Sequence, residues 1–182
     1  KFGGMFMYAP LSVEEATAPG QVMLSDLNNI FRVPILNART KVFGLIGNPV
    51  SQSKGIYFHN SIFAKKNFNA VYANFLVDKL ERFIESYRKM ITGYSITMPF
   101  KQEIIPWLDR ISDEASVLSV VNTVVRRKGK LYGYNTDLPA IASLLNRRTN
   151  LRKKNVVVRG TGGTAKTMAF AALADGAQTT VV

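Results

Sequence analysis

Five short stretches of this chain carry side chains able to do chemistry. Ser51-Gln52-Ser53 follows Gly47-Asn48-Pro49 and sets two hydroxyls two residues apart at the mouth of an expected helix. Such a pair can clamp a carboxylate, although on spacing alone Ser53 reads more simply as the helix cap. In Thr97-Met98-Pro99-Phe100-Lys101 the lysine falls in a first helical turn. The helix dipole opposes a cation there, which suits a residue that passes a proton, and a solvated surface lysine has the same spacing. Asn122-Thr123 opens one apolar strand, and Asn135-Thr136-Asp137 ends the next. Ligand-binding residues sit at such strand ends in α/β sheets, while Asp137 also reads as a helix cap. Gly160-Thr161-Gly162-Gly163 lies between a strand and a helix. Glycines in that context let the backbone approach a pyrophosphate at a helix N-terminus, and a tight turn without ligand has the same pattern.

The elements that must position these residues alternate strand with helix. Val42 to Ile46, Val71 to Phe75 and Tyr94 to Thr97 read as strands. Helices are expected from Ser53 to Asn67, and from the capping-box pattern Asp78-Lys79-Leu80-Glu81 to about Met90, with another opening at Pro99. Val120 to Arg126 and Lys130 to Tyr134 form an expected hairpin, and Asp137 opens a helix ending near Asn150. Asn155 to Val158, Thr164 to Asp175 closed by Gly176, and Thr179 to Val182 make one βαβ unit. This order implies an α/β fold with a mixed, largely parallel sheet. Three segments follow: 1–39, with a helix expected from Ser25 and a capping-box pattern at Ser12-Val13-Glu14-Glu15; 40–150; and 151–182. The first is too short to own a core. The third stops as its second strand begins, and Lys1 is an unusual first residue, so the sequence is expected to be a piece of a longer protein.

Composition narrows the classes. With no cysteine and one histidine, His59, thiolate and His-rich metal sites are excluded, and no metal is expected. No apolar run approaches the roughly 20 residues of a membrane helix, so no membrane partner is expected. The net charge of +12 fits either nucleic acid or small anionic ligands. Its two clusters, Arg126 to Lys130 and Arg147 to Lys154, read as a hairpin turn and a helix end, with no interleaved aromatics. Solvated turns are therefore expected rather than a nucleic-acid groove.

Taken in order, Gly47-Asn48-Pro49, Ser51-x-Ser53-Lys54, His59-Asn60, Thr97-x-Pro99-Phe100-Lys101, Val121-Asn122-Thr123, Gly133-Tyr134-Asn135-Thr136-Asp137 and Gly160-x-Gly162-Gly163 resemble the successive motifs of the shikimate dehydrogenases. The resemblance spans about Lys41 to Val182. It implies a substrate-binding domain over 40–150 and the start of a Rossmann NADP-binding domain over 151–182. The implied activity is NADP-dependent, reversible reduction of 3-dehydroshikimate to shikimate, in aromatic amino-acid biosynthesis. By this resemblance Lys101 and Asp137 form the catalytic pair. Ser51 and Ser53 hold the substrate carboxylate, and Thr97 and Asn122 bind ring hydroxyls. Gly160, Gly162, Gly163 and Thr164 take the cofactor. A quinate-type dehydrogenase and a non-catalytic ligand-binding copy share these features.

The first segment adds a second resemblance. Lys1-Phe2-Gly3-Gly4 and Thr17-Ala18-Pro19-Gly20-Gln21 resemble the C-terminal end of a type I dehydroquinate dehydratase barrel, with Gln21 at a substrate-contacting position. Dehydratase followed by dehydrogenase is the order of the bifunctional plant enzymes, which implies a plastid location; without that link the expected location is cytoplasmic. The 182-residue chain alone is expected to be inactive, since one βαβ unit closes no nicotinamide site. Four positions depart from the dehydrogenase pattern: Gly55 for Pro, Ser119-Val120 for Gly-Ala, Ala140 for Gly, and Arg159 for an apolar residue.

Overall fold

The computed structural model describes residues 8–18 and 21–182. The motif Lys1-Phe2-Gly3-Gly4 and residues 19–20 lie outside them. Six strands form the first sheet: β1 (Lys41–Gly47), β2 (Ala70–Leu76), β3 (Ile91–Ile96), β4 (Arg110–Ile111), β5 (Thr123–Arg127) and β6 (Lys130–Tyr134). Their order is β2-β1-β3-β5-β6-β4. β1 runs parallel to β2 and β3, β5 is antiparallel to both β3 and β6, and β4 is parallel to β6. The mixed, largely parallel α/β sheet expected from the sequence is what the chain forms. A second sheet pairs β7 (Asn155–Val158) with β8 (Gln178–Val181) in parallel.

The hairpin explains the mixture. Lys128 and Gly129 both take positive φ, 49° and 80°. Two left-handed residues make a two-residue turn whose twist matches the strands it joins. The basic cluster therefore sits on an exposed turn, as expected. The remaining connections run through helices: α1 (Leu24–Asn29), α2 (Gly55–Lys65), α3 (Leu80–Tyr87), α4 (Phe100–Glu103), α5 (Asp113–Leu118), α6 (Asp137–Arg148) and α7 (Gly163–Ala174).

The two faces of the larger sheet bury different residues. On one, Leu80 and Ile84 of α3 pack with Ile46, Ile96, Val121 and Leu131. Tyr94 lies in this core with its hydroxyl unpartnered. Burial pushes that phenol up to about 12, against the opposing pull of Arg126 and Arg88. On the other face, α2 lays Ile56 and Phe63 over Leu45 and Tyr72. Asn60 closes this contact, accepting from the Tyr72 N–H at 2.9 Å and donating to the Tyr72 carbonyl at 2.8 Å. The edge strand thereby gains a side-chain partner where it has no neighbouring strand. His59 stacks on the Tyr72 ring at 4.3 Å, and burial holds its imidazole below the ordinary range. The His59-Asn60 pair is thus part of the packing of α2 on β2.

Several expected caps are built differently. Helix α2 starts at Gly55, and Ser53 accepts the Gly55 N–H at 3.2 Å one step outside the helix. The pattern at Asp78 does not cap α3, because its carboxylate accepts instead from the Asn48 amide at 3.1 Å. Ser12 to Ala16 forms turns in which Glu15 reaches back to the Leu11 N–H at 3.2 Å, and no helix follows. Strand β5 begins at Thr123, three residues later than expected. Val121 leaves the ladder, its N–H donating to the Lys101 carbonyl, while the Asn122 N–H still reaches the Tyr134 carbonyl of β6.

The end of the first segment is tied to the start of β2. Leu27 is buried, Arg32 donates to the Ala70 carbonyl at 3.4 Å, and Asn37 accepts from Asn69 at 3.3 Å. Gln21 turns back to accept from the Thr17 N–H at 2.9 Å.

The departure at Ser119 has a backbone consequence. Ser119 ends α5 in the left-handed region, at φ 51°. A Cβ in that region costs on the order of 1–2 kcal/mol, part of which glycine returns as unfolded-chain entropy. Ser119→Gly is expected to raise stability by about 0.5–1 kcal/mol, read as a higher urea midpoint at unchanged slope. An unchanged or lower midpoint would count against strain at this position.

Candidate active site

The C-terminal ends of β1, β3 and β6 and the start of β5 lie on one edge of the sheet, because β5 runs against its neighbours. Four of the five chemistry-bearing stretches emerge there, and the fifth, the glycine turn, follows β7 of the second sheet. The loop after β1 is held on both sides. The Asn48 N–H donates to the Met98 carbonyl at 3.0 Å, and the Val77 N–H donates to the Gly47 carbonyl at 3.1 Å. Gly47 packs against the Thr97 methyl so closely that a Cβ would collide with it. The serine loop and the Thr97 loop are therefore neighbours, with the Thr97 N–H donating to the Ile46 carbonyl at 2.9 Å.

Lys101 and Asp137 meet. Lys101 is the second residue of α4, and Asp137 is the first residue of α6. Their side chains form an ion pair with Nζ 2.8 Å from Oδ2. Both are partly shielded, with side-chain exposures of 18% and 34%. The capping reading of Asp137 fails for a specific reason. Asn135 caps the helix in its place, accepting the Leu138 N–H at 3.0 Å, which leaves the Asp137 carboxylate for Lys101. A second contact of Lys101 reaches the other unit, with Nζ 3.4 Å from Thr164 Oγ1.

Asn122 sits beside this pair with its amide orientation fixed. Its Oδ1 accepts from the Thr136 N–H at 2.9 Å, and the Thr136 and Thr123 hydroxyls lie 3.1 and 2.9 Å away. A backbone N–H demands an acceptor, so the Asn122 NH₂ is the end left to donate. Ser53 similarly accepts from Gly55, which leaves its O–H proton to donate; Ser51 is exposed. Thr97 and Lys101 line a cleft of about 510 Å³ with Gly160, Gly162, Gly163 and Thr164. Ser51, Ser53, Asn122 and Asp137 do not line that cleft. Asn122 is bonded to the chain stretch that carries Asp137, and the two serines stand one loop away.

The glycine turn is built for close approach. Gly160 takes φ +118°, which an L side chain rarely adopts. A Cβ at Gly162 would meet nothing within 4 Å, so the N-terminus of α7 is open. At Gly163 a Cβ would lie 3.0 Å from Val120 and 3.3 Å from Lys101, so glycine there lets α7 approach the Lys101–Asp137 pair. The charge at Arg159 raises no burial problem, since the residue is exposed just beyond the last strand residue, Val158.

Sequence reasoning placed Asn135 at a ligand-binding strand end but did not anticipate its bond to Thr167. Asn135 and Thr167 are 6% and 0% exposed. Asn135 Nδ2 donates to the Val120 carbonyl at 3.1 Å and to Thr167 Oγ1 at 3.3 Å, and Thr167 donates to the Gly163 carbonyl at 2.8 Å. This buried chain of hydrogen bonds joins the end of β6 to the glycine turn. The only hint in the sequence is a polar residue inside an apolar helix face. Asn135→Ala removes a helix cap and orphans a buried carbonyl, for an expected cost of about 3 kcal/mol in chemical denaturation. A loss under about 0.5 kcal/mol would show that the junction does not depend on it.

Known proteins resemble this chain in sequence and in fold. Residues 45–124 match the shikimate dehydrogenase substrate binding domain. Over its whole length the chain is 36% identical to the chloroplastic bifunctional 3-dehydroquinate dehydratase/shikimate dehydrogenase of Arabidopsis thaliana, covering 33% of that protein. Shikimate dehydrogenase from Aquifex aeolicus superposes with a TM-score of 0.76 at 34% identity, over 81% of this chain and 57% of that one. Shikimate 5-dehydrogenase from Thermus thermophilus, in complex with NADP(H) and shikimate, superposes with a TM-score of 0.69 at 28% identity, over 78% of this chain and 55% of that one. This chain thus spans a third of the first protein's length and somewhat over half of the other two. Residues 45–124 belong to the shikimate dehydrogenase family, as its substrate-binding domain.

Proposed function

We propose that this chain is the substrate-binding part, with the first nucleotide-binding unit, of an NADP-dependent shikimate dehydrogenase. The observation that carries the reading is the 2.8 Å ion pair of Lys101 and Asp137, with Lys101 also 3.4 Å from Thr164 beside the glycine turn. It sets a proton donor where a substrate held by the first unit meets a dinucleotide held by the second.

The residues present fit a dinucleotide. Gly162 leaves open space at the first turn of α7, where unpaired N–H groups and the helix dipole favour a phosphate. Gly160, Gly162, Gly163 and Thr164 would hold it. NADPH bound there supplies hydride to the ring ketone. The rest of the chemistry belongs to this chain. Negative charge growing on the ketone oxygen is stabilised by the Lys101 ammonium, which then gives that oxygen a proton. In the reverse direction Lys101 takes the hydroxyl proton. Asp137 orients Lys101 through their bond and accepts from a neighbouring ring hydroxyl. Asn122 donates its NH₂ to a ring oxygen, and Thr97 binds a further hydroxyl. Ser51 and Ser53 donate to the carboxylate. Positioning of this kind supplies roughly 7–11 kcal/mol of barrier reduction, and turnover is therefore expected of the full-length protein.

A dehydratase on the N-terminal side and a plastid location rest on the likeness to the Arabidopsis enzyme, which spans the whole chain including its first 39 residues.

In the full-length protein, Lys101→Ala is expected to lower kcat for shikimate oxidation by roughly 10²–10⁴-fold, with little change in the shikimate KM. NADP⁺ reduction followed by absorbance measures it. Turnover retained by Lys101→Ala would overturn the catalytic assignment. Turnover of quinate in preference to shikimate would move the substrate within the same site.

A further inference from the structure

The cleft between the Thr97–Lys101 loop and the glycine turn is lined by eleven residues, none of them acidic. Two are cationic, Lys101 and Arg159. Their situations differ. The charge on Lys101 is already matched by Asp137 at 2.8 Å. Arg159 is exposed, and among the described residues it forms no ion pair and no side-chain hydrogen bond. It stands immediately before Gly160, whose N–H is fixed by the Val182 carbonyl at 2.6 Å. That bond ties the end of β7 to the end of β8, so the residue beside it leaves the sheet at a defined point.

We propose that Arg159 is a phosphate-binding residue of the dinucleotide site, contributing a side-chain cation beside the backbone donors of the glycine turn. The inference rests on the nucleotide reading above. An anion in this cleft meets one matched ammonium and one unmatched guanidinium. The guanidinium presents planar paired donors that fit phosphate oxygens two at a time. Backbone N–H groups at a helix N-terminus carry only partial charge, so they leave much of the double charge of a diphosphate bridge uncompensated. Arg159 supplies a full charge on the cleft side. Its place at the end of a strand, where sequence patterning favours an apolar side chain, costs nothing in burial because the residue is exposed.

The test is NADP⁺ binding to the full-length protein, followed by isothermal titration calorimetry at two salt concentrations, with shikimate binding measured in parallel. Arg159→Leu restores the apolar type, and Arg159→Lys keeps the charge without the planar fork. The expected result is an NADP⁺ Kd raised about tenfold by Arg159→Leu and less by Arg159→Lys. The Leu variant should also show a shallower salt dependence, since one screened charge is gone. Shikimate affinity and thermal unfolding temperature should stay unchanged in both. An NADP⁺ Kd equal to or below wild type in Arg159→Leu would overturn the proposal, as would an equal loss of NADP⁺ and shikimate affinity. Wild-type protein that binds neither ligand would instead overturn the functional reading itself.

Discussion

The ion pair of Lys101 and Asp137 joins two helices that follow different strands of the larger sheet. Its partners lie 36 residues apart. One stands on a helix of four residues and the other at the start of one of twelve. An exposed pair contributes little to stability, and a half-shielded one is worth somewhat more. Its importance here is positional. For the carboxylate to be free, some other group must cap α6, and Asn135 does so. For the ammonium to reach it, α4 must leave the end of β3 at a set angle, which the Val121 N–H fixes by bonding the Lys101 carbonyl at 2.8 Å. For a second unit to approach, the residue at position 163 must lack a Cβ.

These requirements make the junction between the two sheets the controlling region of the molecule. Val120, Asn135, Gly163 and Thr167 form a contact in which each side-chain polar atom has a partner. Unpaired, any of them would cost on the order of 1–3 kcal/mol. The departure that places valine at 120 belongs to this contact, since Val120 Cγ1 lies where a Cβ on Gly163 would meet it at 3.0 Å. The glycine turn is thus held against the lysine by apolar packing and hydrogen bonds together.

What the sequence disclosed, and what it withheld, follows from the range of the interactions. Strands β1, β2 and β3 and helices α2, α3 and α6 were legible because alternation and helical periodicity are local. The hairpin was legible because Lys128 and Gly129 sit between two apolar runs. The meeting of Lys101 with Asp137 was inferred from a resemblance, since 36 residues of chain separate them and spacing alone left both with simpler readings. The caps at Ser53 and Asp78 were misplaced because capping depends on which donor a carboxylate or hydroxyl finds first. Asp78 found Asn48, 30 residues away. The role of Asn135 stayed hidden for the same reason: two of its three partners lie in other elements. Arg159 stood out as a departure because an apolar strand pattern continues naturally past Val158, whereas the chain leaves the sheet there and the side chain is exposed.

The proposed function requires one edge of the six-stranded sheet to gather a single shikimate-binding surface around the Lys101–Asp137 pair. An amide NMR titration of this chain with shikimate tests it directly. Saturable shift changes are expected, centred on residues 51–53, 97–101, 122–123 and 135–137, with little change at the opposite, basic edge around Arg127 to Lys130. Saturable changes confined to that basic edge, or the same changes at residues 97–137 in a Lys101→Ala, Asp137→Ala double variant, would contradict it.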